Sequence, residues 1–210
     1  MPSDSWRTFL GRASKRYAEN LSGSEAESYL QDERGLTEET IARFKLGYVG
    51  DDPLPGHESY RGCITIPYVA PDGSVVSIRY RRIVGDGPKY MTMPGDISRL
   101  YNTTALTRPY SKICITEGEL DAQTTEQDGL PAVGVPGANT WLPVWNLLFR
   151  QYDSVFVLAD DDKAGREFAA TIQRGLETVQ IITMTGGDAN SYRREHGPGS
   201  IKEKINELSV

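Results

Sequence analysis

Residues 155–159, Val-Phe-Val-Leu-Ala, form an uninterrupted apolar run that ends on three aspartates, Asp160, Asp161 and Asp162. A strand without polar alternation is suited to burial on both faces, as in a parallel sheet covered by helices. The flanking sequence supplies the rest of such a sheet. Lys112–Thr116, 131–135 and Val179–Met184 read as three further strands. Helical patterns at Glu119–Gln127, 145–150, 163–176 and 201–208 alternate with them, and in 163–176 the residues Ala164, Phe168, Ala169 and Ile172 are expected to face inward. Four strand-helix units predict an α/β domain over 111–210 with a mainly parallel sheet.

The first 110 residues have a different rhythm and predict a smaller α+β subdomain. Up to residue 47 the pattern is helical. Trp6, Phe9, Leu10, Ala13 and Tyr17 share one face behind Ser3 or Asp4 as N-cap. Ser24 and Glu27 form a capping box, and Thr37 caps a third helix that Gly47 is expected to stop. Residues 50–56 read as a loop or a joint between subdomains. From Cys63 to about Met93 the pattern turns to strands, with a turn at Ala70-Pro71-Asp72-Gly73. Arg79, Arg81 and Arg82 place basic groups on both faces of one strand, so part of this sheet is expected to face solvent or substrate.

The residues just past each strand carry the chemistry, because ligands of open α/β sheets bind beyond the strands' carboxyl ends. Glu117-Gly118 comes after the strand at Lys112–Thr116, Asp160, Asp161 and Asp162 after 155–159, and Gly187-Asp188-Ala189-Asn190 after Val179–Met184. Each piece alone has a simpler reading as a turn or helix cap. Together they bring carboxylates to one edge, where mutual repulsion requires a cation. Hard divalent ions such as Mg²⁺ or Mn²⁺ suit oxygen donors and phosphoryl transfer. Lys163 and the helix start behind it add positive potential for phosphate oxygens.

Charge patterning supports a polyanionic partner. The net charge is −6, yet residues 55–109 hold seven basic residues (Arg61, Arg79, Arg81, Arg82, Lys89, Arg99 and Arg108) against four acidic ones. Cys63 and Cys114 lie in apolar strands, and His57 and His196 lie in loops without a partner ligand, so a zinc site is not expected. No apolar run approaches the roughly 20 residues of a membrane span, and the N-terminus lacks a signal-peptide core. The expected location is therefore the cytoplasm.

Ile115-Thr116-Glu117-Gly118-Glu119-Leu120-Asp121-Ala122, followed by Leu158-Ala159-Asp160-Asp161-Asp162-Lys163-Ala164-Gly165-Arg166, resembles the Toprim signature of bacterial-type primases, type IA and II topoisomerases and some nucleases. Gly187-Asp188-Ala189-Asn190 resembles the late acidic motif of phage and mitochondrial helicase-primases. Upstream, Tyr29-Leu30, Arg34-Gly35-Leu36-Thr37, Tyr60-Arg61-Gly62-Cys63-Ile64-Thr65-Ile66-Pro67, Pro88-Lys89-Tyr90-Met91 and Leu100-Tyr101-Asn102 resemble landmarks of the primase polymerase core.

The resemblance implies a DNA primase core that makes short RNA primers on single-stranded DNA from ribonucleoside triphosphates, a nucleotidyltransferase dependent on Mg²⁺ or Mn²⁺. Residues 1–110 would be its basic subdomain and 111–210 its Toprim domain. Glu117, Asp160 and Asp162 would be catalytic and, with Asp188, would hold metal. Gly118, Asp121 and Asn190 would be accessory. Arg61, Arg79, Arg81, Arg82, Lys89, Arg99 and Lys163 would bind template or nucleotide. The zinc-binding module and helicase domain of larger primases have no counterpart here, which makes a replicative helicase a candidate partner. A Toprim nuclease and a non-catalytic binder of single-stranded DNA or nucleotides are the alternatives. A topoisomerase would need a tyrosine-bearing gate domain for which there is no room.

Overall fold

In the computed structural model, which describes residues 1–176 and 178–207, the chain forms two units, Met1–Ile97 and Ser98–Val210. The first is built on an antiparallel sheet, the second on a parallel one.

In the first unit, Ser3 Oγ accepts the Trp6 N–H and starts α1 (Asp4–Glu19), which buries Leu10, Ala13, Ser14 and Tyr17. Trp6 does not join them: it is 39% exposed and stacks on Phe9. Ser24 caps α2 (Glu25–Ser28), but Glu27 returns its hydrogen bond to Gly23 N–H at 2.7 Å rather than to Ser24. Thr37 caps α3 (Glu38–Arg43), and the left-handed residue after it is Lys45. The expected stop, Gly47, instead opens β1 (Gly47–Tyr48), where a Cβ would collide with the backbone of Tyr17 and Ala18. Close approach of α1, rather than helix termination, is what requires glycine there.

Strands β2 (Cys63–Val69), β3 (Val75–Arg82) and β4 (Tyr90–Thr92) complete the order β1-β2-β3-β4. Leu10, Ala13, Tyr17, Tyr60, Cys63, Ile78 and Tyr80 form the core between α1 and the sheet. His57 is fully buried there, with Nδ1 2.7 Å from the Tyr17 hydroxyl. The loop at 50–56 lies inside this unit. The expectation of a solvent-facing basic strand fails for Arg81, which is 4% exposed. Its charge is tolerated because the hydroxyls of Tyr29 and Tyr90 accept its N–H groups.

The second unit contains β5 (Lys112–Thr116), α4 (Glu119–Gln127), β6 (Ala132–Gly134), α5 (Asn146–Phe149), β7 (Ser154–Asp160), α6 (Lys163–Gln173), β8 (Val179–Met184), α7 (Ala189–His196) and α8 (Ser200–Glu207). All three ladders of its sheet, ordered β6-β5-β7-β8, are parallel. The run at 155–159 is thus a central strand, with every residue at most 1% exposed. Ile113, Ile115, Val155, Val157 and Ala159 pack with Phe168, Ala169 and Ile172 of α6 and with Trp141, Trp145 and Phe149. Gly165 takes the inward place expected of Ala164, which is exposed. The segment at 145–150 is a 3₁₀ turn, Pro143–Trp145, running into the short α5. Helix α7 occupies a stretch expected to be a turn, and Leu208 of the closing helix lies outside the described residues.

Segment 98–110 belongs to this second unit. Tyr101 bridges Gly134 through backbone hydrogen bonds, and Asn102 Nδ2 donates to the Ala132 carbonyl and Glu126. Asp128 is a buried carboxylate that accepts several hydrogen bonds. Asp128 Oδ1 accepts Arg193 Nε–H at 2.5 Å and Gly199 N–H at 3.0 Å, while Oδ2 accepts Ile201 N–H at 3.1 Å. With the Asp128 side chain 1% exposed, Asp128→Ala would remove this buried acceptor from the Arg193 cation and from the start of α8. The expected loss is about 3–5 kcal/mol of unfolding free energy, read as a lower urea midpoint at constant slope.

Candidate active site at the strand ends of the second unit

The end of β5 is tied to the end of β7 by one carboxylate. Glu117 follows β5 directly, and its Oε1 accepts the Asp160 N–H at 2.9 Å. Asp160 is the last residue of β7, partly buried, with its backbone paired to Met184 of β8. A Cβ at Gly165 would collide with the Asp160 carbonyl oxygen and sit 2.8 Å from Glu117 Oε1. Only glycine lets α6 start this close to the strand end.

The remaining acids are fixed by capping. Asp162 Oδ1 accepts the Gly165 N–H at 2.7 Å as the N-cap of α6, and Asp188 Oδ1 accepts the Ser191 N–H at 2.7 Å as the N-cap of α7. Asp161 N–H donates to the Gly187 carbonyl at 2.9 Å, joining the loops after β7 and β8. Asp121, on the first turn of α4, accepts Asn190 N–H at 3.2 Å through Oδ1, and Asn190 Nδ2 donates to Thr124. Gly118, Asp121 and Asn190 are thus structural neighbours of the acidic edge.

Electrostatics bind the five carboxylates into one group. Asp160 is pushed up to about 8, first by burial and then by the charges of Asp121, Glu117, Asp188 and Asp162. Burial also raises Glu117, with Asp162 adding to the shift and the Asp160 N–H opposing it. The carboxylates do not close into a cage: among the described residues no three His, Cys, Asp or Glu side chains stand close enough together to hold an ion. The donor set, purely carboxylate oxygen around an acid that burial keeps protonated near neutrality, fits Mg²⁺ or Mn²⁺. To hold such an ion, Asp160, Asp162, Asp188 and Glu117 would have to draw closer together than they stand.

The basic residues divide between the units. Arg61 and Lys89 are exposed, Arg79 and Arg82 partly buried, and Arg81 buried, all in the first unit. Arg99 is partly buried in the second unit. There Lys163 is exposed at the start of α6, 3.7 Å from Glu167. Sequence reasoning placed Gly165 and Asp161 next to the site but gave neither its structural role. Gly165 could have been found from a glycine in the first turn after the aspartates, a position where helices otherwise avoid it. Asp161 could not, because its use as a link to Gly187 depends on the loop after β8.

No protein-family model matches the chain. The Gene 57 protein of Mycobacterium phage D29 is 50% identical over 151 residues, covering 70% of this chain and 99% of that protein. The chain belongs to the family of that phage protein. The DNA primase of Neisseria meningitidis (serogroup A) is 27% identical over 231 residues, covering 90% of this chain and 39% of the primase. This Gene 57 relative therefore spans about two-fifths of that primase's length. Among solved structures, the DnaG primase catalytic domain bound to ssDNA superposes with a TM-score of 0.76 at 22% identity, covering 96% of this chain and 78% of that one. The fold of this Gene 57 family member is that of the DnaG-type catalytic core, with a smaller α+β unit preceding a Toprim α/β unit in the chain.

The geometry of the edge has two measurable consequences. Gly165→Ala forces α6 off the strand end and is expected to destabilise the protein by about 1–3 kcal/mol, measured by urea unfolding. For Asp160, a folded pKa near 8 against an ordinary value of 3.8 means the folded protein binds the extra proton. Its contribution to metal-free stability falls as pH rises from about 4 to about 8 and is constant above. A Mg²⁺ ion held by Asp160 would compete with that proton, so its affinity would rise up to about tenfold per pH unit below 8 and then level off. Asp160→Asn should abolish this step in calorimetric titrations.

Proposed function

We propose that this chain is a primase core that synthesises short RNA primers on single-stranded DNA by metal-dependent nucleotidyl transfer. The observation that carries the reading is the group of carboxylates at the ends of β5, β7 and β8, which share their charge through Asp160, within the fold of a DnaG catalytic core. One protein of that fold is a DnaG catalytic domain bound to single-stranded DNA, which supports the template assignment.

In the reaction, the 3′-hydroxyl oxygen of one nucleotide attacks the α-phosphorus of the next. The new P–O bond forms as the α–β phosphoanhydride breaks and pyrophosphate leaves. A bound Mg²⁺ or Mn²⁺ supplies charge neutralisation for the phosphates and acidifies the hydroxyl. Asp160, Asp162 and Asp188 are the residues that would hold that charge in place. Glu117 has a raised pKa and a fixed orientation through the Asp160 N–H, so it is suited to take up the hydroxyl proton. Lys163, exposed at the head of α6, meets the triphosphate. Arg61, Arg79, Arg82 and Lys89 on the first unit, and Arg99 on the second, meet the template backbone, giving affinity that weakens with salt. Action beside a replicative helicase in the cytoplasm of a host cell completes the reading.

Incorporation of labelled ribonucleotides on mixed single-stranded templates with Mg²⁺ or Mn²⁺ is the test. Wild type should make short RNAs, and Asp160→Ala should reduce the rate by at least about a hundredfold. Metal-dependent DNA cleavage without synthesis would replace this reading with a nuclease. DNA binding indifferent to metal and to Glu117→Gln, with no chemistry at all, would replace it with a regulatory binder.

A further inference from the structure

Arg79 and Arg81 alternate along β3 and point to the same sheet face, yet their surroundings differ. Arg81 is 4% exposed. Its guanidinium donates to the Tyr29 hydroxyl at 2.5 Å and to the Tyr90 hydroxyl, with the two ring centroids 5.4 and 5.0 Å away. Its acceptors are phenols alone: among the described residues no carboxylate accepts a hydrogen bond from it. A phosphate cannot approach a guanidinium enclosed in this way.

What Arg81 holds is the local basic surface. Tyr90 opens β4, a three-residue edge strand whose pairing is limited to Arg79↔Thr92, Tyr80↔Met91 and Arg81↔Tyr90. The connection before it is largely exposed and carries Lys89, whose carbonyl accepts the Arg82 N–H at 2.9 Å. On the Tyr90 ring, 4.4 Å from its centroid, sits the guanidinium of Arg79. Fixing Tyr90 therefore seats Arg79 by a cation–π contact and anchors the strand that presents Lys89.

We propose that Arg81 is a positioning residue for polyanion binding: it pins Tyr29 and Tyr90, and so preorganises Arg79 and Lys89 for the phosphates of single-stranded nucleic acid. This rests on the template-binding role proposed for the first unit. The sequence pattern groups Arg81 with the phosphate contacts; the geometry assigns it a different task.

The test is binding of a fluorescein-labelled oligothymidylate to the full chain across a salt series, with active protein counted by stoichiometric titration so that misfolded material does not alter the fitted affinity. Arg81→Lys keeps the charge but loses the planar two-way fork. It should weaken binding about tenfold, ~1.4 kcal/mol, with an unchanged slope of log affinity against log salt. Tyr29→Phe removes one acceptor and should act in the same direction, also with an unchanged slope. Lys89→Ala, a direct contact, should lower the slope by about one. Hydrogen exchange at the amides of Tyr90–Thr92 should be faster in Arg81→Lys and Tyr29→Phe without any DNA. A slope reduced by about one in Arg81→Lys would make Arg81 a phosphate contact and overturn the proposal. Wild-type affinity in both Arg81→Lys and Tyr29→Phe would overturn it as well. If wild type binds no oligonucleotide, the template reading falls first and this role with it.

Discussion

The hydrogen bond from Asp160 N–H to Glu117 Oε1 joins the ends of the two central parallel strands, and much of the acidic edge depends on it. A carboxylate placed there is positioned by the strand ladder itself, the least deformable part of an α/β unit. The missing Cβ of Gly165 lets α6 begin against the same peptide, so the cap at Asp162 and the strand end at Asp160 keep a set separation. Burial and charge crowding then hold Asp160 protonated near neutrality. An arrangement crowded in this electrostatic sense favours a proton on Asp160 near neutrality, and a bound cation would relieve the same repulsion.

The second unit accepts this edge because its helix α4 is itself polar and buried. Gln123, Thr124 and Thr125 are at most 1% exposed, and Glu126 and Asp128 are also buried. Gln123 donates to Tyr101, Thr125 to the Asp121 carbonyl, and Glu126 accepts from Arg108, Asn102 and the Ala132 backbone. Burying so many polar groups without partners would oppose folding by a few kcal/mol each. With partners assigned, the network instead selects one placement of segment 98–110 and of α7 around α4, and with it the approach of Asn190 to Asp121.

Much of this was legible from residue patterns. The four parallel strands, their order of appearance, the helices between them and the acids at their ends can be read from hydrophobic period and position alone. The caps at Ser24 and Thr37 are local and were equally readable, and Ser3 was one of two candidates at the head of α1. The failures have a common cause. Gly47 and Gly165 looked like a helix stop and an ordinary helix residue, but each is set by a backbone that arrives from elsewhere in the chain. Helix α7 was hidden because its mean polarity is high and its inward residues, Ala189 and Asn190, pack against α4 rather than in an apolar stripe.

Arginine shows where the boundary lies. The sequence by itself determined that this is an α/β chain with carboxylates at three strand ends and a basic segment before them, because strand burial and capping are decided by residues within a few positions. Which arginines can meet a phosphate was decided only by tertiary structure. Tyr29 lies 52 positions from Arg81, and a hydroxyl brought that far along the chain turns a surface charge into an internal one. The same holds for Asp160: its identity is written in the sequence, but its pKa is raised first by burial and then by Asp121, Glu117 and Asp188, which share its surroundings only after the sheet has formed. Electrostatic energy depends on distance in space and on exclusion of water, and neither is a property of sequence spacing.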